Sequence, residues 1–322
     1  MLFGAFIGLG IGLLLVVVRM YTRKPMLSKR DIEVTFNGKC ICEIPEVSSK
    51  RNSNKKVLVK GSSGLSGFSE SIRVLKQRVR LKASKNKVNV IGVTSSVMGE
   101  GKTTISYNLA KSLSTSGKKT ILVDVDFANR ALQNILNRKN EVENVGITEI
   151  ISGKIKIEES INVIKDDFDV LFAGSEQIKF LKKNYVSIFN YLREHYDYVI
   201  VDMPACDSAE TALLADFCDG VLFAVKWNST DRSKINKAIN YLAFSDTEII
   251  GYVLNKVNIN HGGYGGYKYH GKYGTRRYGY GYSYGYGYGY GSYGYGYGSY
   301  GYGYGAKPED IRREAKESKP LE

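Results

Sequence analysis

The 322-residue sequence predicts an α/β fold, a mainly parallel sheet covered by helices, with one transmembrane helix before it and a disordered Gly/Tyr-rich tail after it. Three observations predict this. Apolar runs of strand length alternate with longer amphipathic stretches from Val88 to about Asn260, the pattern of a sheet buried on both faces. A loop ending Gly-Lys-Thr stands between the first of these runs and a helix-like stretch, as in a P-loop. On either side the composition changes, to uncharged apolar residues before and to glycine and tyrosine after.

Residues 1–18 carry no charge and consist mostly of Leu, Phe, Ile, Val and Gly, which is long enough at the short end to cross a hydrocarbon core. A cleaved signal peptide fits poorly, because no positive charge precedes the run and no small-x-small pattern follows it. Arg19, Arg23, Lys24, Lys29 and Arg30 come next, and the positive-inside bias puts the rest of the chain in the cytoplasm. Residues 19–87 hold 18 Lys and Arg against 5 Asp and Glu, so nearly all of the net +14 lies there. A basic segment directly after an apolar one points to anionic lipid, not to nucleic acid. Residues 19–68 are expected to be a basic juxtamembrane tether, ending in the linker-like Gly61–Gly67. Cys40, Cys42, Cys206 and Cys218 lack the spacing of a disulfide framework or a zinc site and imply a reducing compartment. Cys40 and Cys42 read as small half-buried residues; a lipid attachment is the alternative.

The folded domain is expected over residues 69–260. It begins with Glu70 to Ala83, where Ile72, Leu75 and Val79 fall at helical spacing among Arg73, Lys76, Arg78, Arg80 and Lys82. Strands are expected at Val88–Thr94, Thr120–Asp124, Asp169–Ala173, Tyr198–Asp202, Val221–Val225 and Ile249–Leu254. Residues 261–322 form a Gly/Tyr-rich tail with a short charged end, too poor in aliphatic side chains to build a core.

The chemistry concentrates after the first strand. Ser96, Met98, Gly99, Glu100, Gly101, Lys102, Thr103 and Thr104 are the candidate nucleotide-binding residues. Backbone N–H groups would cradle the phosphates, Lys102 would reach the β- and γ-phosphates, and the Thr103 hydroxyl would ligate Mg²⁺. Ser96 stands where the general motif has its first glycine, so the loop is a variant; a glycine-rich turn with a surface lysine is the bland alternative. Two further strands end on aspartates, in Val123-Asp124-Val125-Asp126 and in Val201-Asp202-Met203-Pro204. Open α/β sheets place ligands at such strand ends, where a carboxylate can hold Mg²⁺ or accept a proton from a hydroxyl nucleophile. Each aspartate alone would pass for a turn former.

Phosphate loop, Asp-x-Asp strand end and Asp202 strand end, in this order, resemble the bacterial tyrosine kinases, or BY-kinases, of capsule and exopolysaccharide biosynthesis over roughly residues 70–260. Asp219–Val225 and Gly251–Lys256 also resemble the family, and Val97 stands where the related ParA/MinD ATPases carry an extra lysine. The resemblance implies a protein-tyrosine kinase using ATP and Mg²⁺, with Lys102, Asp124, Asp126 and Asp202 as catalytic residues and Thr103, Asp124 and Asp202 as metal ligands. It implies an interface helix in which Glu70, Arg73 and Lys76 join copies into a ring, Lys76 replacing the family's second arginine. Residues 1–45 resemble the last membrane helix and cytoplasmic end of a polysaccharide co-polymerase, whose remaining part would come from a partner or from sequence upstream. The family has an arginine and a proline where this chain has Ala128 and Arg130, which keeps a weakened, regulatory ATPase as an alternative.

The resemblance also gives the tail a role. Residues 264–304 contain 17 of the 25 tyrosines, largely in strict Gly-Tyr alternation, and relatives end in such a cluster. Tyr264, Tyr278, Tyr284, Tyr290, Tyr297 and Tyr304 are taken as representative phosphoacceptors; an adhesive low-complexity tail is the other reading. The implied partners are other copies of the chain, co-polymerase or polymerase subunits, a tyrosine phosphatase and the bacterial inner or plasma membrane, crossed once, with no nucleic acid. A non-kinase ATPase switch of the ParA/MinD type and a non-enzymatic scaffold remain as rivals, separated from a kinase by phosphotyrosine formation and by ATP binding.

Overall fold

The strands at the centre of the sheet are apolar through their middles because both of their faces are covered. In the computed structural model, which describes residues 8–15, 17, 25–47, 66–86, 89–136, 145–164, 168–175, 182–207 and 209–258, these are β2 (Val90–Ser95), β3 (Thr120–Asp124), β6 (Tyr198–Asp202) and β7 (Gly220–Lys226). With β1 (Cys40–Pro45), β4 (Asn162–Ile164), β5 (Phe168–Leu171) and β8 (Ile249–Val257) they form one sheet in the order β1-β8-β7-β2-β6-β3-β5-β4. Every pairing is parallel except β4 with β5.

The two-residue repeat of a strand sorts these side chains to opposite faces. Ile121, Val123, Val199, Val201, Val221 and Phe223 pack with Ile188, Phe189 and Leu192 of α7 (Lys183–His195) and with Ile235 and Leu242 of α9 (Arg232–Leu242). Ile91, Val93, Leu122, Ile200, Leu222 and Ala224 face Leu75 and Val79 of α2 (Ser66–Asn86) and Ile105 and Leu109 of α3 (Lys102–Ser114). The short α4 (Ala131–Leu136), α5 (Ile147–Ile151), α6 (Ile157–Ser160) and α8 (Ala209–Ala215) lie in the connections. The expected helix at Glu70–Ala83 is thus part of α2, with Ile72, Leu75 and Val79 buried as the spacing requires.

Strands β3 and β6 begin and end at the residues read from the sequence, and β8 runs three residues further, to Val257. The tether is corrected in part, because residues 25–47 belong to the folded domain. Pro25 bridges Asp231, and Ser28 caps α1 (Lys29–Phe36) in a reciprocal box with Asp31, at 3.1 and 2.9 Å. Strand β1 then adds to β8, with Cys42 opposite Val253 and Glu43 opposite Leu254. Met26, Ile32, Ile41, Cys42 and Ile44 are buried in this attachment. The strand escaped the sequence reading because an edge strand pairs on one side only, so Glu43 and Pro45 are tolerated in it.

Cys40 and Cys42 are fully buried, not half-buried, and desolvation pushes both thiols up to about 12, which leaves them inert. Residues 8–15 are helical, and among the described residues no helix is long and apolar enough to cross a membrane. Residues 1–7, 16 and 18 of the expected span, residues 19–24 and 48–65 of the tether and the whole 261–322 tail, including Tyr264, Tyr278, Tyr284, Tyr290, Tyr297 and Tyr304, lie outside the described residues.

Candidate active site

The carboxyl ends of β2, β6 and β3 lie side by side. Val93 pairs with Asp202, and Asp202 pairs with Asp124. The loop from Ser96 to Gly101 leaves β2 and turns into α3. It needs glycine twice, at Gly99 (φ +82°) and Gly101 (φ +97°), where a side chain would be strained. A Cβ on Gly101 would also collide with the side-chain amide of Asn255. Gly101 caps α3 without a side chain, so the first-turn N–H groups are left to other partners. Met98 is exposed at the loop tip, Lys102 is buried, and Thr103 and Thr104 are half-buried at the start of α3.

Behind the loop stand three buried carboxylates, Asp124, Asp126 and Asp202. The Ser106 hydroxyl lies 3.1 Å from Asp202 Oδ1, and Asp124 Oδ1 accepts the Asp126 N–H at 3.0 Å. Asp124 Oδ2 is buried with no hydrogen-bond partner. Burial, and then the negative charge of Asp202, raises the Asp124 carboxyl well above its ordinary range, against a smaller opposing pull from Arg130. Burial likewise raises Asp202 from its ordinary 3.8 to about 6, opposed by a hydrogen bond from Thr103 and the charge of Lys102. Two like charges facing each other, one with an orphaned oxygen, are chemically suited to a divalent cation. Among the described residues no group of three or more His, Cys, Asp or Glu could hold a metal. A Mg²⁺ here would therefore take Thr103, Asp124 and Asp202 together with phosphate oxygens, the donor set of a metal that arrives with its nucleotide.

Asp126 is engaged by its own turn. The Asn129 N–H donates to it at 3.1 Å, and the Asn129 side-chain amide lies 3.0 and 3.1 Å from its two oxygens. Arg130 adopts φ +42° and donates to the Ser175 carbonyl at 3.2 Å, so the residue in the place of the family's proline brings a cation to this end of the sheet. Asn129, Ser106, Thr230, Asn255 and Lys256 were not read as site residues. The sequence signal that could have found Asn255 and Lys256 is their position at the carboxyl end of a buried strand, where Asn255 lies level with Lys226. Glu70, Arg73 and Lys76 lie apart from this cluster along α2. Glu70 accepts from Arg73 at 2.6 and 2.8 Å, and the Lys76 ammonium donates to Ser116 at 2.5 Å.

The Asp202 carboxyl takes up its proton more readily in the folded state than in the unfolded one, so the group's contribution is best below about pH 4 and becomes a penalty as pH rises through 4–6. Asp202→Asn is expected to stabilise the nucleotide-free protein at pH 7.5 by about 1–3 kcal/mol, a few degrees in Tm, with the gain vanishing near pH 4. Thermal unfolding of both forms between pH 4 and 8 measures it; an unchanged Tm difference across that range would refute the assignment.

Residues 88–243 match the family described as an AAA domain. The chain is 29% identical over 202 residues to the tyrosine-protein kinase CpsD of Streptococcus pneumoniae, covering 61% of this chain and 88% of the relative. To CpsD of the S. pneumoniae serotype 4 strain TIGR4 it is 30% identical over 191 residues, covering 58% and 83%. The kinase domain of the Escherichia coli tyrosine kinase ETK superposes with a TM-score of 0.60 at 21% identity, covering 73% of this chain and 96% of that domain, which shows a shared fold. The AAA-domain match spans the phosphate loop and the aspartate-ended strands described above, and by its similarity to CpsD this chain belongs to the bacterial tyrosine-protein kinases of capsule and exopolysaccharide biosynthesis.

Proposed function

We propose that the chain transfers the γ-phosphoryl group of ATP to the tyrosines of residues 264–304, on neighbouring copies of itself. The observation that carries this reading is the buried Asp124–Asp202 pair with its orphaned oxygen, set beside the uncapped start of α3. When bound, Mg²⁺ would neutralise charge on the phosphates. Thr103, Asp124 and Asp202 are the residues to hold it. The N–H groups of 98–104 hold the phosphates in place, and Lys102 places its charge on the transferring group. Asp126, oriented by Asn129, takes the proton of the attacking tyrosine hydroxyl as the new O–P bond forms and the β–γ bridge bond breaks to release ADP. Tyrosine needs such a base because its hydroxyl titrates near 10.

The tail suits the acceptor role because Gly-Tyr alternation offers one hydroxyl after another, has little to bury and would lose much entropy on ordering. Each phosphate adds about −1.5 to −2 charges, and several in one tail repel one another. On this reading Glu70, Arg73 and Lys76 join copies into a ring, phosphorylation loosens it, and a phosphatase resets the cycle. Residues 1–18 span the inner or plasma membrane beside co-polymerase or polymerase subunits, residues 19–24 and 48–65 act as tethers, and the folded kinase lies in the cytoplasm.

The experiment mixes a full-length Lys102→Met chain, with its tail intact, and an active chain ending at Asn260. Phosphotyrosine mapped by mass spectrometry is expected on the inactive chain between 264 and 304. Its absence there, while the active chain phosphorylates an added tyrosine substrate, refutes transfer between copies.

A further inference from the structure

Glu100 belongs to the phosphate loop by sequence, yet its carboxylate is fully buried and used up by protein donors. Oε2 accepts from the Val97 N–H and the Ser96 hydroxyl, both at 3.0 Å and both within the loop. Oε1 accepts from the N–H of Lys226, the last residue of β7, at 2.9 Å and from the hydroxyl of Thr230, in the connection to α9. The adjoining carbonyls are held by the end of β8. Asn255 donates to the Glu100 carbonyl at 2.7 Å and Lys256 to that of Gly99 at 2.9 Å.

From this geometry we propose that Glu100 is a positioning residue for phosphoryl transfer, a strap whose two oxygens fasten the 96–101 loop to residues 226–230. The inference rests on the loop being the nucleotide site. An ionised carboxylate is the group that fits, because four donors converge on two oxygens and each oxygen serves one side of the strap. A glutamine would turn its NH₂ toward one backbone N–H and one hydroxyl; the hydroxyl can rotate to accept, but the N–H loses its acceptor and that side of the strap is weakened. The loop would still form, but its N–H groups would no longer be fixed relative to Asp124 and Asp202, which stand on other strands. Rate depends more steeply on this alignment than ground-state binding does.

The test uses the full chain with Glu100→Gln, Thr230→Val and Thr230→Ser, with kinase rate normalised to nucleotide-binding sites and KM for ATP measured in each. Glu100→Gln is expected to lower kcat about 10- to 100-fold with a rise in KM of only about threefold. Thr230→Val should give a smaller loss of the same kind, and Thr230→Ser, which keeps the hydroxyl, should stay within about twofold of the parent. A merely structural role would lower Tm and the number of binding sites without changing kcat per site, and that outcome overturns the proposal. So does a Thr230→Ser chain as impaired as Thr230→Val. If Glu100→Gln fails to fold, the Thr230 pair decides by the same criteria. Lys102→Met separates the two levels: an inactive Lys102→Met chain beside a Glu100→Gln chain of normal rate refutes the strap alone, whereas an active Lys102→Met chain refutes the nucleotide site itself.

Discussion

Lys102→Met is expected to reduce tyrosine phosphorylation by at least about 100-fold while the protein remains folded. Lys102 is buried at the start of α3, and its charge acts on Asp202, the carboxylate at the neighbouring strand end. In the proposed reaction that charge would be directed at the transferring phosphoryl group, where a fixed cation in a water-poor site is worth far more than in solution. Removing a cation whose charge acts on a buried carboxylate can cost stability, because the carboxylate loses a charge that offsets its burial. Here Asp202 already titrates near 6, so taking up a proton near neutral pH is a small step and the loss of stability is limited. Methionine fills a similar volume along the same path. The measurement is phosphotyrosine content after expression in a host without tyrosine kinases, alongside a thermal melt. A folded variant phosphorylated to the parent's extent would show that the loop is not the phosphoryl-transfer site.

The second large effect is expected at the other edge of the sheet. A chain starting at Gly67 should be much less stable than the full chain, and less active as a consequence. Treating residues 19–66 as a tether leads to a different cause, in which cutting them lowers the effective concentration of an activating segment. The structure replaces that cause with a direct one. The cut removes β1 from β8 and uncovers an edge, and it takes Ile32, Ile41 and Ile44 out of the core. It also removes the carbonyls of Leu27 and Met26, which accept from Trp227 at 2.8 Å and from the Asn228 N–H at 2.9 Å. Those residues adjoin Lys226, whose N–H holds Glu100, so the phosphate loop loses a support as well. Ile44→Ala in the full chain isolates the packing and is expected to cost about 2–5 kcal/mol. Chemical denaturation of the three proteins provides the comparison, and equal midpoints for the full and shortened chains would refute the attachment.

Much of this was legible in one dimension. A strand covered on both faces must be apolar at every position, so Ile121–Val123 and Val199–Val201 announce themselves, and β3 and β6 fall where the pattern put them. Gly99, Gly101, Lys102 and Thr103 are legible for a related reason: a phosphate-binding turn between strand and helix needs those residue types at fixed offsets, and all the constraints are local. Tertiary structure decided what depends on distant neighbours. The register of β3 on β6 sets Asp124 against Asp202, whose charge adds to burial in raising the Asp124 carboxyl, and no property of either segment alone contains that. β1 exists because β8 offers an edge 212 residues later, at Tyr252 opposite Cys40, while its own six residues, with a glutamate and a proline, carry only a faint strand signal. Glu100 shows the division within one residue: its place in the loop follows from local spacing, but the direction of its carboxylate, toward Lys226 and Thr230, follows from where the sheet brings β7.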